Sequence, residues 1–223
     1  MLNIEHKIWW LWIPVVVLIV QLTIEMTLSV GALAHLHSED GPHEFVEFIV
    51  LVIAFFVAVR ALFWLNRKES PWVWAWFALA ALCCFYVAGE EISWGQHLLK
   101  WSTPDYWAHF NDQQETNLHN TSSWLDQKPR LLLEIGVIVG GLLIPLLRRY
   151  KPSLLPQRFA VIYPPSLLAV TALLAILPKM IDKIAEMADV RAFERVSEVQ
   201  ELYFFYFVLL YLCMLTKRLK TTR

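Results

Sequence analysis

Six apolar runs of about membrane length limit the fold of this chain more than any other feature. A helix needs roughly 20 mostly apolar residues to cross a bilayer. The runs therefore predict an all-α polytopic membrane helix bundle with about six transmembrane helices, forming a single integral membrane domain over residues 1–223. They cover residues 8–33, 45–65, 72–92, 131–147, 158–178 and 200–216.

Composition supports this class. Hydrophobic residues make up 57% of the chain and charged residues 17%, which excludes a disordered protein. The net charge of −1 argues against nucleic acid as a partner. The first run is longer than the core of a signal peptide, roughly 7–15 residues, so we expect a retained helix. Proline residues inside the fourth and fifth runs, Pro145 and Pro164-Pro165, predict kinks.

The connections between the runs predict the orientation. Basic residues are concentrated in the links 66–71 and 148–158 and in the C-terminal tail. Because basic residues mark the cytoplasmic side, we expect both termini to lie in the cytoplasm. We expect the protein to lie in the inner membrane of the cell. The links 34–44, 93–130 and 179–199 then face outward.

Two of the outward links predict structure of their own. The link 93–130 is too long for a plain connection. Within it, Thr103-Pro104-Asp105 is a typical helix start and predicts a short interfacial helix at 104–110. The segment 179–199 alternates apolar and charged residues at helical spacing, which predicts an outer amphipathic helix.

Acidic residues near the outer ends of the helices are the strongest functional signal. Ionisable groups at membrane depth cost a few kcal/mol each, roughly, and usually bind or pair with something. The helix dipole accounts for acids at helix N-termini, such as Glu44 and Glu47. It does not account for Glu90 and Glu91, or for Glu25, because these lie at helix C-termini.

Histidines at helical spacing from these acids predict a divalent metal site. Glu115 and His119 lie four residues apart, and Glu90 and His97 lie seven apart. Either pair places both side chains on one helix face. The predicted ligands are Glu25, Glu91, His97, Glu115, His119 and Glu134. The alternative is a hydrated loop whose amides cap helix ends. His35, His37 and His43 could bind a metal too, but their short, flexible link favours exposed histidines.

Two motifs carry a resemblance. Gly-Glu-Glu-Ile-Ser-Trp-Gly-Gln at 89–96 and N-x-Q-x-E-x-N-L-H-N at 111–120 resemble motifs of a group of uncharacterised bacterial polytopic membrane proteins. Glu39-Asp40-Gly41 and Glu44 upstream belong to the same pattern. The resemblance covers about a fifth of the chain. It implies a bacterial inner-membrane setting and adds no chemistry.

Three functions fit these features. The first is a metal-dependent hydrolase or transferase acting on a lipid or lipid-linked substrate, with Glu90, Glu91 and Glu115 as catalytic residues. Ser93 is a weaker nucleophile candidate because the sequence fixes no partner base. The second is a non-catalytic membrane subunit that presents its outer loop to a protein partner. The third is a cation or proton-coupled transporter, which the scarcity of acids in the inner half disfavours.

Overall fold

The computed structural model describes residues 4–38, 41–109, 111, 115–118 and 121–221, and the backbone alone at 97, 123, 125 and 126. Within these ranges the protein is all-helical, as predicted, and contains no strand. Its α-helices are α1 (Ile13–Thr27), α2 (Val30–Leu36), α3 (Pro42–Trp64), α4 (Pro71–Glu91), α5 (Gln96–Leu99), α6 (Asp105–Ala108), α7 (Ser123–Ile138), α8 (Ile144–Tyr150), α9 (Leu168–Glu186) and α10 (Val196–Thr221).

Membrane-length helices confirm the predicted class of protein. Among the described residues, five helical stretches are long and apolar enough to cross a bilayer. They are Ile8–Thr27, Pro42–Trp64, Pro71–Glu91, Gln127–Tyr150 and Val196–Thr221.

The fifth predicted run differs from the structure. Residues Gln157–Ile162 form a 3-10 helix, and α9 begins only at Leu168. Pro164 and Pro165 therefore precede a helix, and the prediction of a kink inside a helix at these residues is wrong. Proline lacks an N–H and disfavours helical backbone in the residue before it, so the helix starts after the pair. The predicted 179–199 segment is not one helix: α9 ends at Glu186 and α10 begins at Val196.

The first run is also divided. The residue after α1, Leu28, has extended backbone (φ −82°, ψ 153°). Ser29 then caps α2, since its Oγ accepts a hydrogen bond from the N–H of Ala32 at 3.4 Å. The apolar composition of residues 8–33 did not reveal this break, because one serine among apolar residues is a weak signal.

The chain divides into two compact units. The terminal unit comprises Met1–His35 and Ile135–Arg223, and the central unit comprises Leu36–Glu134. In the terminal unit α9 packs against α10, and the residues before α1 pack against α9.

Proline chemistry explains how the terminal unit holds its N-terminal helix. Pro14 has no N–H, so backbone carbonyls in the preceding turn lose a helical donor. Hydroxyl groups from distant helices replace it: Tyr206 donates to the carbonyl of Trp9 at 2.7 Å, and Thr171 donates to the carbonyl of Trp10 at 2.8 Å. Tyr203 donates to the carbonyl of Pro14 itself at 2.6 Å. Without water, such replacements are needed for a proline to be tolerated in a membrane helix.

Close helix packing in the terminal unit requires a glycine. Gly141 lies in a π-helical turn, Val139–Leu143, between α7 and α8. A Cβ at this position would overlap the Cβ of Ala172 and lie 2.9 Å from the ring of Phe207. The absence of a side chain at Gly141 thus sets how closely this turn approaches α9 and α10.

Small residues join the two long helices of the central unit. α3 and α4 pack side by side, with Ala54, Ala58 and Ala61 of α3 fully buried. Small residues let helix backbones approach closely inside a membrane. Because the link between the helices is short, they run antiparallel. The start of α3 therefore lies beside the end of α4.

We predict that Gly141→Ala lowers the free energy of unfolding by about 1–3 kcal/mol, because the added methyl group overpacks a close contact. Thermal unfolding of the full-length protein in detergent measures the change. Gly136→Ala is the matched control, since a Cβ there meets nothing within 4 Å. Equal melting temperatures for the two variants would contradict the packing described.

Candidate functional site

The turn after α4 has unusual backbone geometry. Ser93, Trp94 and Gly95 have φ angles of 46°, 55° and 102°. The left-handed region costs a non-glycine residue on the order of 1–2 kcal/mol. Such a conformation persists only where the surroundings fix it. Here the side chains of Ser93 and Trp94 make hydrogen bonds to Glu115 and Glu90 that fix the turn.

Gly89 allows the turn to fold back on its own helix. A Cβ at Gly89 would lie 2.9 Å from the indole ring of Trp94, so only glycine leaves room for it. The same ring packs edge-on against Phe85 and Tyr86 of α4. The first and sixth residues of the 89–96 motif therefore form one contact.

Glu90 connects this turn to the second motif. Its carboxylate is 4% exposed and accepts hydrogen bonds from the Trp94 indole N–H and from the backbone N–H of Leu118, each at 2.7 Å. A buried carboxylate requires such donors, because leaving it without them is costly. Glu90 is therefore hydrogen-bonded to a residue 28 positions further along the chain, Leu118.

Glu115 makes the reciprocal connection. Its Oε2 accepts from the Ser93 hydroxyl at 2.7 Å and from the Asn117 side-chain amide at 2.6 Å. Asn111 closes the cluster: its Oδ1 accepts from the Glu115 N–H at 3.1 Å, and its amide donates to Asn117 Oδ1 at 2.8 Å. All four side chains are buried. We call these four residues together with Glu90 the carboxylate network.

Gln96 extends the connection between the motifs. Its side-chain oxygen accepts from the backbone N–H of Thr116 at 2.7 Å, and its amide donates to the Thr103 hydroxyl at 2.8 Å. Gln96 thus bonds to Thr103 on one side and to Thr116 of the second motif on the other.

The structure brings some of the predicted site residues together. Glu90 and Glu115, both predicted to be catalytic, belong to the carboxylate network. Glu91 lies beside α3, where its carboxylate oxygen is within 4.8 Å of a carboxylate oxygen of Glu47. The predicted ligand Glu134 is the last residue of the central unit and is half-buried.

The remaining predicted ligands belong to the terminal unit or fall outside the described residues. His119 and the side chain of His97 are outside the described part, so the Glu115/His119 and Glu90/His97 pairings stay predictions. Glu25 belongs to the terminal unit. Its carboxylate accepts from the Gln21 side chain at 2.8 Å and from the Glu194 N–H at 3.0 Å.

The expectation that all three histidines of the 34–44 link are exposed was wrong for two of them. His35 is exposed, but His37 and His43 are buried, at 0% and 7% exposure. Their ring centroids lie 5.0 Å apart, edge to face. His43 is buried because α3 begins at Pro42, which places it in a helical first turn and not in a flexible link. The missed signal was the four-residue spacing of His43 and Glu47.

No family model, curated protein or solved structure matches this chain.

We predict that Glu90→Gln exposes the segment 115–118 to solvent exchange. The amide of glutamine keeps one acceptor, but its NH₂ group faces a donor and leaves a hydrogen bond unmade, at a cost of about 1–3 kcal/mol. Hydrogen–deuterium exchange in detergent should show faster exchange at Leu118. Glu69→Gln, an exposed acid of the 66–71 link, is the control. Unchanged protection of Leu118 in Glu90→Gln would show that the carboxylate does not hold this segment.

Proposed function

We propose that this chain is a multi-pass protein of a bacterial inner membrane whose central unit forms a metal-dependent hydrolase or transferase site for a lipid or lipid-linked substrate. Both termini face the cytoplasm, on the basis of the basic links. α9 supplies a sixth crossing: its 19 residues span roughly 28 Å, close to the thickness of a bilayer core. The start of α3 and the end of α4 then lie at the outer side.

The pair of carboxylates formed by Glu47 and Glu91 is the main support for a catalytic site. Glu47 is fully buried, and the two carboxylates approach within 4.8 Å. Two negative charges this close in a low-dielectric setting repel each other, so the pair favours binding a cation. A cation held by carboxylates is typical of metal-assisted chemistry.

Glu90 and Glu91 have different roles in this proposal. The buried donors that surround Glu90 and Glu115 assign those two carboxylates to holding the outer segment. We assign the contact with a substrate to Glu91, which is half-buried and lies beside Glu47. Beside a divalent ion that polarises an ester or phosphate and activates a water molecule, Glu91 serves as ligand or general base.

We predict that the full-length protein in liposomes of bacterial lipids, incubated in ¹⁸O-labelled water, releases ¹⁸O-labelled carboxylate or phosphate products. Mass spectrometry detects them. Removal of a general base or metal ligand should lower the yield at least 100-fold in Glu91→Gln, on the scale of roughly 10²–10⁴ for general acid–base catalysis. A chelator should also abolish the product, and Glu69→Gln should match the wild type.

Two results would reject the hydrolase. One is the absence of any labelled product from the wild type above that from empty liposomes. The other is an equal yield from Glu91→Gln and the wild type.

Exposed apolar side chains on the segment 93–109 favour a second candidate function, interaction with a protein partner. Leu99 and Tyr106 are 76% and 72% exposed. Large exposed aromatic and aliphatic residues are typical of interfaces. A photo-crosslinking residue at position 106 in native membranes tests this function, since a partner subunit gives a discrete protein adduct, whereas a lipid-facing side chain gives lipid adducts alone.

A further inference from the structure

We propose that His43, Glu47 and Glu91 together bind one divalent transition-metal ion in the central unit. This inference rests on the proposed function, because it gives the metal of that function a position. It replaces the ligand set expected from the sequence, of which it keeps only Glu91.

The distance between His43 and Glu47 fits two ligands of one ion. Nδ1 of His43 lies 3.6 Å from Oε1 of Glu47. This separation is long for a hydrogen bond, whose usual range is about 2.7–3.2 Å. With metal–ligand bonds of about 2.1 Å, two ligand atoms at tetrahedral angles lie roughly 3.4 Å apart. Their four-residue spacing on α3 keeps both side chains on one face of the helix.

The imidazole of His43 is an independent sign of a ligand. His43 is 7% exposed, and its Nδ1 is buried without a hydrogen bond to any described part of the chain. A buried polar atom without a hydrogen bond destabilises the folded protein. A metal ion between Nδ1 and the Glu47 carboxylate removes that destabilisation, because the nitrogen lone pair becomes a ligand.

Glu91 supplies the third ligand from the neighbouring helix. Its carboxylate lies within 4.8 Å of that of Glu47, and the antiparallel packing of α3 and α4 holds the two backbones in place. A divalent ion between the two carboxylates also neutralises their repulsion. The site requires Glu91, which is half-buried, to turn its carboxylate towards Nδ1 of His43 when the ion binds.

The donor set indicates the class of metal. One imidazole nitrogen with two carboxylate oxygens suits Zn²⁺, Mn²⁺ or Fe²⁺ better than Ca²⁺, which takes oxygen ligands. Three protein ligands leave a coordination position for water or substrate, which is typical of catalytic metal sites. The His37 ring, packed edge-on against His43, restricts the rotation of the ligating ring.

Zinc binding to the full-length protein tests the site. Protein purified in detergent and stripped with a chelator is dialysed to equilibrium against Zn²⁺. The wild type should bind about one ion per chain. His43→Gln and Glu47→Gln should each weaken binding at least tenfold. The controls His35→Gln and Glu69→Gln, both at exposed positions, should bind as the wild type does.

The X-ray absorption spectrum of the zinc-loaded wild type provides a readout that does not depend on the folding of a variant. The site requires the multiple-scattering signal of a coordinated imidazole. A spectrum with oxygen ligands alone would overturn the inference. So would a wild type that binds no zinc, or His43→Gln and Glu47→Gln variants that bind zinc as tightly as the wild type.

Failure of this site and failure of the proposed function give different results. Zinc binding that survives His43→Gln, alongside turnover that is lost in Glu91→Gln, places the metal elsewhere and leaves the hydrolase intact. Zinc binding that is lost in His43→Gln and Glu47→Gln, without any labelled product from the wild type, leaves the metal site and removes the hydrolase.

Discussion

A carboxylate removed from water must find hydrogen-bond donors, and this requirement organises the central unit. Glu90 and Glu115 are buried near the end of α4, and each accepts from two donors. Those donors come from the turn at Ser93-Trp94-Gly95 and from residues 117–118, so satisfying the two charges also fixes residues 117–118 against this turn. A strained turn persists where surrounding contacts fix it, and these hydrogen bonds supply such contacts to Ser93 and Trp94.

The neighbouring acids Glu90 and Glu91 have different surroundings in this structure. Adjacent residues on a helix point about 100° apart, so Glu90 and Glu91 cannot share one environment. Glu90 accepts a hydrogen bond from the Leu118 N–H, and Glu91 lies beside Glu47 at the start of α3. The antiparallel pairing of α3 and α4 thus places a buried histidine and two carboxylates at one end of the central unit, where we propose that a metal ion binds.

Hydropathy predicted five of the six runs as membrane-length helices correctly, because apolar runs of this length have few other solutions. It did not predict the break at Leu28-Ser29 or the late start of α9, which depend on single residues. The importance of the 89–96 and 111–120 motifs was readable from their density of polar side chains. Their pairing was not, because the left-handed turn depends on Gly89 leaving room for the Trp94 ring. The burial of His43 was not predicted, because residues 34–44 were interpreted as a short, flexible link, whereas α3 begins at Pro42.

A double-mutant cycle between Ser93 and Glu115 tests the central claim most directly, since these two residues join the motifs across 22 positions. The free energies of unfolding of Ser93→Ala, Glu115→Gln and the double variant would be compared with that of the wild type. A buried, charge-assisted hydrogen bond predicts a coupling energy of about 1–3 kcal/mol. Additive effects, within about 0.5 kcal/mol, would show that the two motifs do not hold each other.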